Sequence, residues 1–269
     1  HQTTFADLTA HALEESEPTE PLAPLNHMFA YHVGRHLDRL AEHEFDKDRL
    51  AALEWMCLPL FRFDKRRSPV LHSALSKDPK NFVAVVSMVY RASEEEPTDL
   101  SESEQARAKT ARGLLQSWRD VPGTCEDGTI NREELFSWVT EARRLLAEAN
   151  RLSSGDFRVG QILRYGPPPS EDDEWPSEPI RDLIETIASD DLEDGFYSEV
   201  HNSRGATTRG ITDGGAQEHE IAEQYKQYAR LTAKAWPRTS ALLERIAKSY
   251  EMEARHHDLD ADLRQDLGY

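Results

Sequence analysis

Apolar residues in this chain recur mostly at intervals of three and four. Leu25, Phe29, Val33, Leu37 and Leu40 form one such series after Pro24. A period near 3.6 is the mark of a helix with one buried face, so a helix is expected from Pro24 to about residue 43. Asp46 can cap the next helix, which carries Leu50, Leu53, Trp55 and Cys57 up to the turn at Leu58-Pro59-Leu60-Phe61. Ser68-Pro69 and Asp78-Pro79 each place a capping side chain before a proline. At the first helical position the missing proline N–H costs nothing, so both pairs read as helix starts. Residues 82–90 are apolar all round and β-branched. The proline start and helical surroundings favour a buried helix there over a buried strand.

The same pattern continues to the end. Ser101 and Glu104 make a capping box for a helix to Trp118. Asn131 and Glu134 do likewise for a helix striped with Leu135, Trp138, Val139, Ala142, Leu145, Leu146 and Ala149. A short helix over 154–165 precedes Gly166-Pro167-Pro168-Pro169 and an acidic run, the most linker-like point mid-chain. Trp175-Pro176 introduces Ile180, Leu183, Ile184 and Ile187, and Ser189 caps a helix with Leu192, Phe196 and Val200. Ile221, Tyr225, Tyr228, Leu231 and Ala235 mark the next helix, and Trp236-Pro237 starts the last, with Leu243, Ile246, Ala247, Tyr250 and Ala254. The charged end of that helix is expected to fray. The two Trp-Pro starts hint at repetition without a strict period.

About ten helices in antiparallel pairs define an all-α fold, either an irregular α-solenoid or a compact helical domain. Residues 1–22 read as an arm or linker, interrupted by Glu17-Pro18-Thr19-Glu20-Pro21. Residues 23–150 and 151–269 form two helical halves expected to pack as one unit. The first residue is His1 rather than Met, and the chain reads as cut from a longer polypeptide.

Charge narrows the function. The net charge of −18 argues against broad binding to nucleic acid or anionic membrane, which requires cations that displace counterions. Cys57 and Cys125 form no disulfide framework, which points to a reducing, cytoplasmic setting, and no apolar run approaches the roughly 20 residues of a membrane span. Arginine far outnumbers lysine, as in GC-rich bacterial genomes.

Most chemical motifs fail on a named residue. Asp127-Gly128-Thr129-Ile130 mimics half a calcium loop, but the first and third ligand positions would be Gly123 and Cys125. His219-Glu220-Ile221-Ala222-Glu223 has glutamate where a zinc-protease helix has its second histidine. His32 and His36 are an i, i+4 pair, with His43 about 10 Å beyond His36 by helix rise and no local donor to complete a site. Glu253-Ala254-Arg255-His256 has the di-iron spacing without its second copy. Nucleophile elbow, Walker loop and dinucleotide fingerprint are absent, and Cys57 reads as a core thiol. The sequence assigns no catalytic residue, metal or cofactor. Arg62, Lys65, Arg66 and Arg67 are the densest basic cluster, either a solvated turn or a dock for phosphate or an acidic partner.

Residues 201–215 stand apart. They hold four of the 13 glycines and two arginines, with no apolar run to bury them. Long loops inside helical domains concentrate function or mobility. Asn202, Arg204, Arg209 and Asp213 are the candidate partner-binding residues. The competing reading is that the arginines pin the loop to this acidic protein.

Three segments taken together resemble a known region: Leu53-Glu54-Trp55-Met56-Cys57-Leu58-Pro59-Leu60, Val121-Pro122-Gly123-Thr124-Cys125-Glu126-Asp127-Gly128, and Asn202-Ser203-Arg204-Gly205 running on to Asp213-Gly214-Gly215-Ala216-Gln217-Glu218. The chain resembles an all-helical C-terminal region of long bacterial multidomain proteins of anti-phage or toxin–antitoxin type, over most of residues 45–265. The resemblance implies a non-catalytic recognition, sensor or scaffold region attached to an effector, binding a protein partner or an adjacent domain. It transfers no catalytic residue. The alternative from the residues themselves is a metal- or acid/base-dependent enzyme assembled from distant helices, with His32 and His36 first to test.

Overall fold

The computed structural model describes residues 27–43, 45–61, 68–93, 99–167, 175–205 and 214–267. These hold eleven α-helices and no strand. They are α1 (His27–Glu42), α2 (Lys47–Cys57), α3 (Pro69–Lys77), α4 (Pro79–Val89), α5 (Glu102–Ser117), α6 (Arg132–Glu148), α7 (Leu152–Leu163), α8 (Glu178–Ile187), α9 (Asp190–Ser203), α10 (Ala216–Thr232) and α11 (Pro237–Leu267). The fold is all-α, built from packed helix pairs, as the periodicity requires.

Capping explains most boundaries. The Arg49 N–H donates to Asp46, and the Lys80 N–H donates to Asp78. The box at Ser101 and Glu104 is complete. Asn131 accepts from the Glu133 and Glu134 N–H groups. Ser68 departs from expectation, since its side chain makes no cap bond. The buried Glu54 of α2 accepts from the Leu71 N–H instead, at 2.9 Å. Glu185 of α8 does the same for α11, accepting from the Arg238 and Thr239 N–H groups. A carboxylate at a helix N-terminus is favoured by the dipole and satisfies orphan donors, so these two caps also fix one helix against another.

The chain divides into two units. One comprises His1–Asp120 and Glu141–Arg151, the other Val121–Thr140 and Leu152–Tyr269. Residues 121–140 thus group with the second unit rather than with their neighbours in sequence. In the first, Ala30, Val33, Leu37 and Leu40 of α1 pack on Leu50, Leu53 and Cys57 of α2 and on Phe61. Phe29, expected in that stripe, is 48% exposed. α4 is helical but buries one face, with Phe82, Val85 and Val86 inside and Ala84 and Met88 outside. Trp118 Nε1 donates to Ser76 Oγ, whose hydroxyl reaches the carbonyls of His72 and Asp120.

In the second unit, contacts between α7 and α9 advance in step: Asp156 with Ser189, then Gln161 and Tyr165 with Glu199. This pair therefore runs parallel, and α8 carries the chain back between them. α10 and α11 pack antiparallel, since Gly215 at the start of α10 lies against Ala254 late in α11. The two Trp-Pro pairs are not equivalent. Pro237 opens α11 directly, whereas the cis Trp175–Pro176 bond precedes the Ser177 cap of α8. α11 extends to Leu267, well past the last apolar position expected for it.

The α7/α9 crossing has no room for a side chain. A Cβ on Gly160 would fall 1.9 Å from the Leu192 carbonyl oxygen, and one on Gly195 would fall 1.9 Å from that of Phe157. Both obstacles are backbone, so neither can swing away. Gly195→Ala is expected to lower stability in urea melts by about 3 kcal/mol or more. Gly113 lies mid-α5 with nothing within 4 Å of its Cβ position, and Gly113→Ala is expected to raise stability by about 0.5–1 kcal/mol. Matching responses from the two variants would rule out the crossing.

Candidate functional site

The 201–215 stretch is shorter as a loop than its composition implies. α9 runs on through Ser203, and the Arg204 N–H bonds the His201 carbonyl. α10 starts at Ala216. Arg209 and Asp213 lie outside the described residues, as do Arg62, Lys65, Arg66 and Arg67 of the basic cluster. Asn202 is exposed on α9 and bonds Ser198 along the helix at 3.4 Å.

Arg204 faces inward. Its Nη2 donates to Glu218 Oε1, and its Nη1 lies 3.6 Å from Glu253 Oε2. Its guanidinium also sits 5.5 Å from the Tyr250 ring centre. The Glu218 side chain is fully buried and that of Arg204 is 17% exposed. Removing a carboxylate from water costs several kcal/mol unless a cation with good geometry meets it. The pair therefore dictates that the end of α9, the start of α10 and the middle of α11 meet at one point.

The other foot of the connector is tied to the same helix. The Gly215 N–H donates to Asp258 Oδ1 at 2.8 Å, and His219 Nε2 lies 2.9 Å from Asp258 Oδ2. Those two contacts, the backbone N–H first, hold the Asp258 carboxyl below its usual range. A Cβ on Gly215 would come 2.2 Å from the Ala254 carbonyl oxygen, so glycine is required for α10 to seat this deeply. Farther along, Lys226 of α10 pairs with Glu251 of α11 at 2.5 Å.

An aromatic column stands behind the ion pair. His201 lies between Tyr197 and Tyr250, with both ring centres 4.7 Å away. Tyr250 stacks on Tyr225, and Tyr225 meets Trp175 edge-on. Burial pushes the Tyr225 hydroxyl far above its ordinary pKa, so it stays protonated and acts as a neutral wall. His201 Nδ1 is 3.7 Å from Glu253 Oε1, and its Nε2 is buried without a hydrogen-bond partner. Burial first, and the Arg204 charge after it, depress the His201 pKa against the pull of Glu253.

The remaining candidates are placed apart. His32 is exposed and His36 half-buried on α1, and His43 is exposed just past its end. Among the described residues no three His, Cys, Asp or Glu side chains gather as metal ligands. Asp127 folds back to accept from the Thr129 N–H and hydroxyl, and a single bridge between Thr124 and Ile130 closes that turn. Cys57 is buried in the α1–α2 core and Cys125 is exposed. Glu253, from the motif with di-iron spacing, lies beside His201 and Arg204.

Sequence reasoning missed Glu218, Glu253, Asp258, Tyr250 and His201 as one cluster. One signal was present. Glu218 falls on the buried series Glu218, Ala222, Tyr225, Ala229 and Thr232 of α10, and a carboxylate in a core register demands a cation. No family model, curated protein or solved structure matches the chain.

Two outcomes test this geometry. Arg204→Ala strands a buried charge and is expected to cost about 3 kcal/mol in denaturant melts, while the double change Arg204→Met, Glu218→Leu recovers most of it. No recovery in the double variant would remove the pair as the reason. The second outcome concerns pH. Because the folded pKa of His201 lies below 6.5, the unfolded chain takes up the proton first. Its contribution to stability is whole above 6.5 and is lost as pH falls from there through the lowered value. His201→Phe keeps a ring between the tyrosines and cannot titrate. Its thermal midpoint should fall less than that of the unmodified chain between about pH 7.5 and 5.

Proposed function

We propose that this chain is a non-catalytic helical recognition, sensor or scaffold region of a larger bacterial protein, and that the α9–α10 connector is the element that meets its protein partner. The observation that carries this reading is the anchoring of both connector ends to one helix. Arg204 closes on Glu218 and Glu253 at one foot, and Gly215 closes on Asp258 at the other. Binding loops set on a rigid base lose less freedom when they bind. The polar content between the feet includes Arg209 and Asp213, which supply opposite charges for partner contact. Arg204 belongs to the base rather than to the contact surface, because its guanidinium pairs with Glu218 and Glu253 within the chain. The sequence resemblance alone supports the setting in anti-phage or toxin–antitoxin proteins; the geometry has no bearing on it.

Placing a photo-crosslinking amino acid at position 209 tests the reading directly in the native host. A discrete adduct is expected from position 209 and none from position 248 on the exposed outer face of α11. Adducts that are absent at 209, or identical at both positions, would remove the connector from recognition.

A further inference from the structure

The outer face of α11 carries an apolar line on the side opposite its buried residues. Met252, Leu259 and Leu263 are 65%, 62% and 60% exposed. They fall with His256 at successive steps of four, three and four, within a narrow arc of the helix. The inward residues Tyr250, Ala254 and Ala261 occupy the other side and are buried. The exposed line is therefore not a core stripe left partly open, since the helix already has its core face. Upstream of Met252 the same outer face is polar, with Glu244 and Lys248 exposed.

The charges beside this line select its partner. Arg255 and Asp262, both exposed, are seven residues apart and so share one flank. Leu259 lies next to their midpoint, four residues after Arg255 and three before Asp262. When two such helices pack antiparallel about a two-fold axis through Leu259, like flanks meet. Arg255 of one copy then faces Asp262 of the other, and the reciprocal pair forms by symmetry. Parallel packing brings unlike flanks together and loses this match.

The geometry points to self-association of this chain through antiparallel pairing of the α11 ends from Met252 to Leu263, with Leu259 at the two-fold axis. A stripe on a single helix falls short of the roughly 800 Å² per partner of a standard interface, so a dissociation constant on the order of 10–100 µM is expected. This interface is on the outside of α11 and is independent of the connector, so failure of one leaves the other standing.

Sedimentation equilibrium tests it with charge-swapped variants. The unmodified chain should move from 30.7 kDa toward twice that mass between about 1 and 500 µM. R255D places two acids against two acids across the axis, and D262R places two arginines against two. Each alone should weaken association at least tenfold. Mixing the two variants makes every facing pair complementary, so the mixture should associate as the unmodified chain does. The double variant R255D/D262R should also regain self-association. Leu259→Asp should hold the chain at 30.7 kDa, with circular dichroism verifying that it remains folded. A mass that stays monomeric across the range overturns the proposal, including the case in which another segment of the same chain covers the stripe. Association that ignores Leu259→Asp, or single variants that mixing does not rescue, overturns it as well.

Discussion

A fully buried carboxylate governs the second unit. Glu218 is in the core register of α10, and its charge has to be met inside the protein. Arg204 meets it, and that requirement sets where α9 stops, how α10 begins and which turn of α11 lies beside them. Such a pair contributes little net stability, because desolvation offsets most of the attraction. What it contributes is position. An apolar contact would tolerate sliding by a fraction of a turn, whereas a guanidinium closing on a buried carboxylate beside a tyrosine ring does not. The aromatic column of His201, Tyr250 and Tyr225 surrounds the pair with groups that bring no competing charge at neutral pH. The pair is thus held in a low-dielectric setting without losing its match.

Backbone contact imposes the second constraint. The α7/α9 crossing and the seat of Gly215 on Ala254 bring main chain within reach of main chain. Neither contact admits a side chain, so the helices cannot change register without separating. The ion pair and the glycine seat lie at opposite feet of one connector, and both refer to α11. The two long-range caps extend the same logic. Glu54 and Glu185 each close the N-terminus of a helix that is not their own. A cap in trans couples the start of one helix to the position of another, which a local serine cannot do.

Helix existence was legible because it depends on local signals. The stripe Val33, Leu37, Leu40 and the caps Asp46, Asp78 and Ser101 need only a few residues of context, and all appear in the structure. The direction of pairing was not legible. Nothing local to α7 or α9 states that they run parallel, since their match depends on Gly160 seating on the backbone of Leu192 and Gly195 on that of Phe157. Ser68 reads as a cap yet makes no cap bond, because the competing acceptor is far away in sequence. The candidate site divides in the same way. Arg204 was visible as an unusual residue in a glycine-rich stretch, but its partners lie 14 and 49 residues on. The buried register of Glu218 was the one sequence signal that pointed inward, and it gains meaning only beside a nearby cation.

α11 joins the two functional readings. Its inner face, through Glu253, Ala254 and Asp258, fixes both feet of the connector. Its outer face, through Met252, Leu259 and Leu263, is the proposed self-association surface. The two sets alternate along the same three turns, so whatever positions one positions the other. In an antiparallel pair centred on Leu259, the connector bases at Glu253 and Asp258 of the two copies would be related by the same two-fold axis, one on each side of it. Two recognition elements on one rigid support raise the effective concentration of the second once the first is bound, provided the partner can reach both. A weak helix–helix contact is sufficient for that purpose, because the helix itself supplies the geometry.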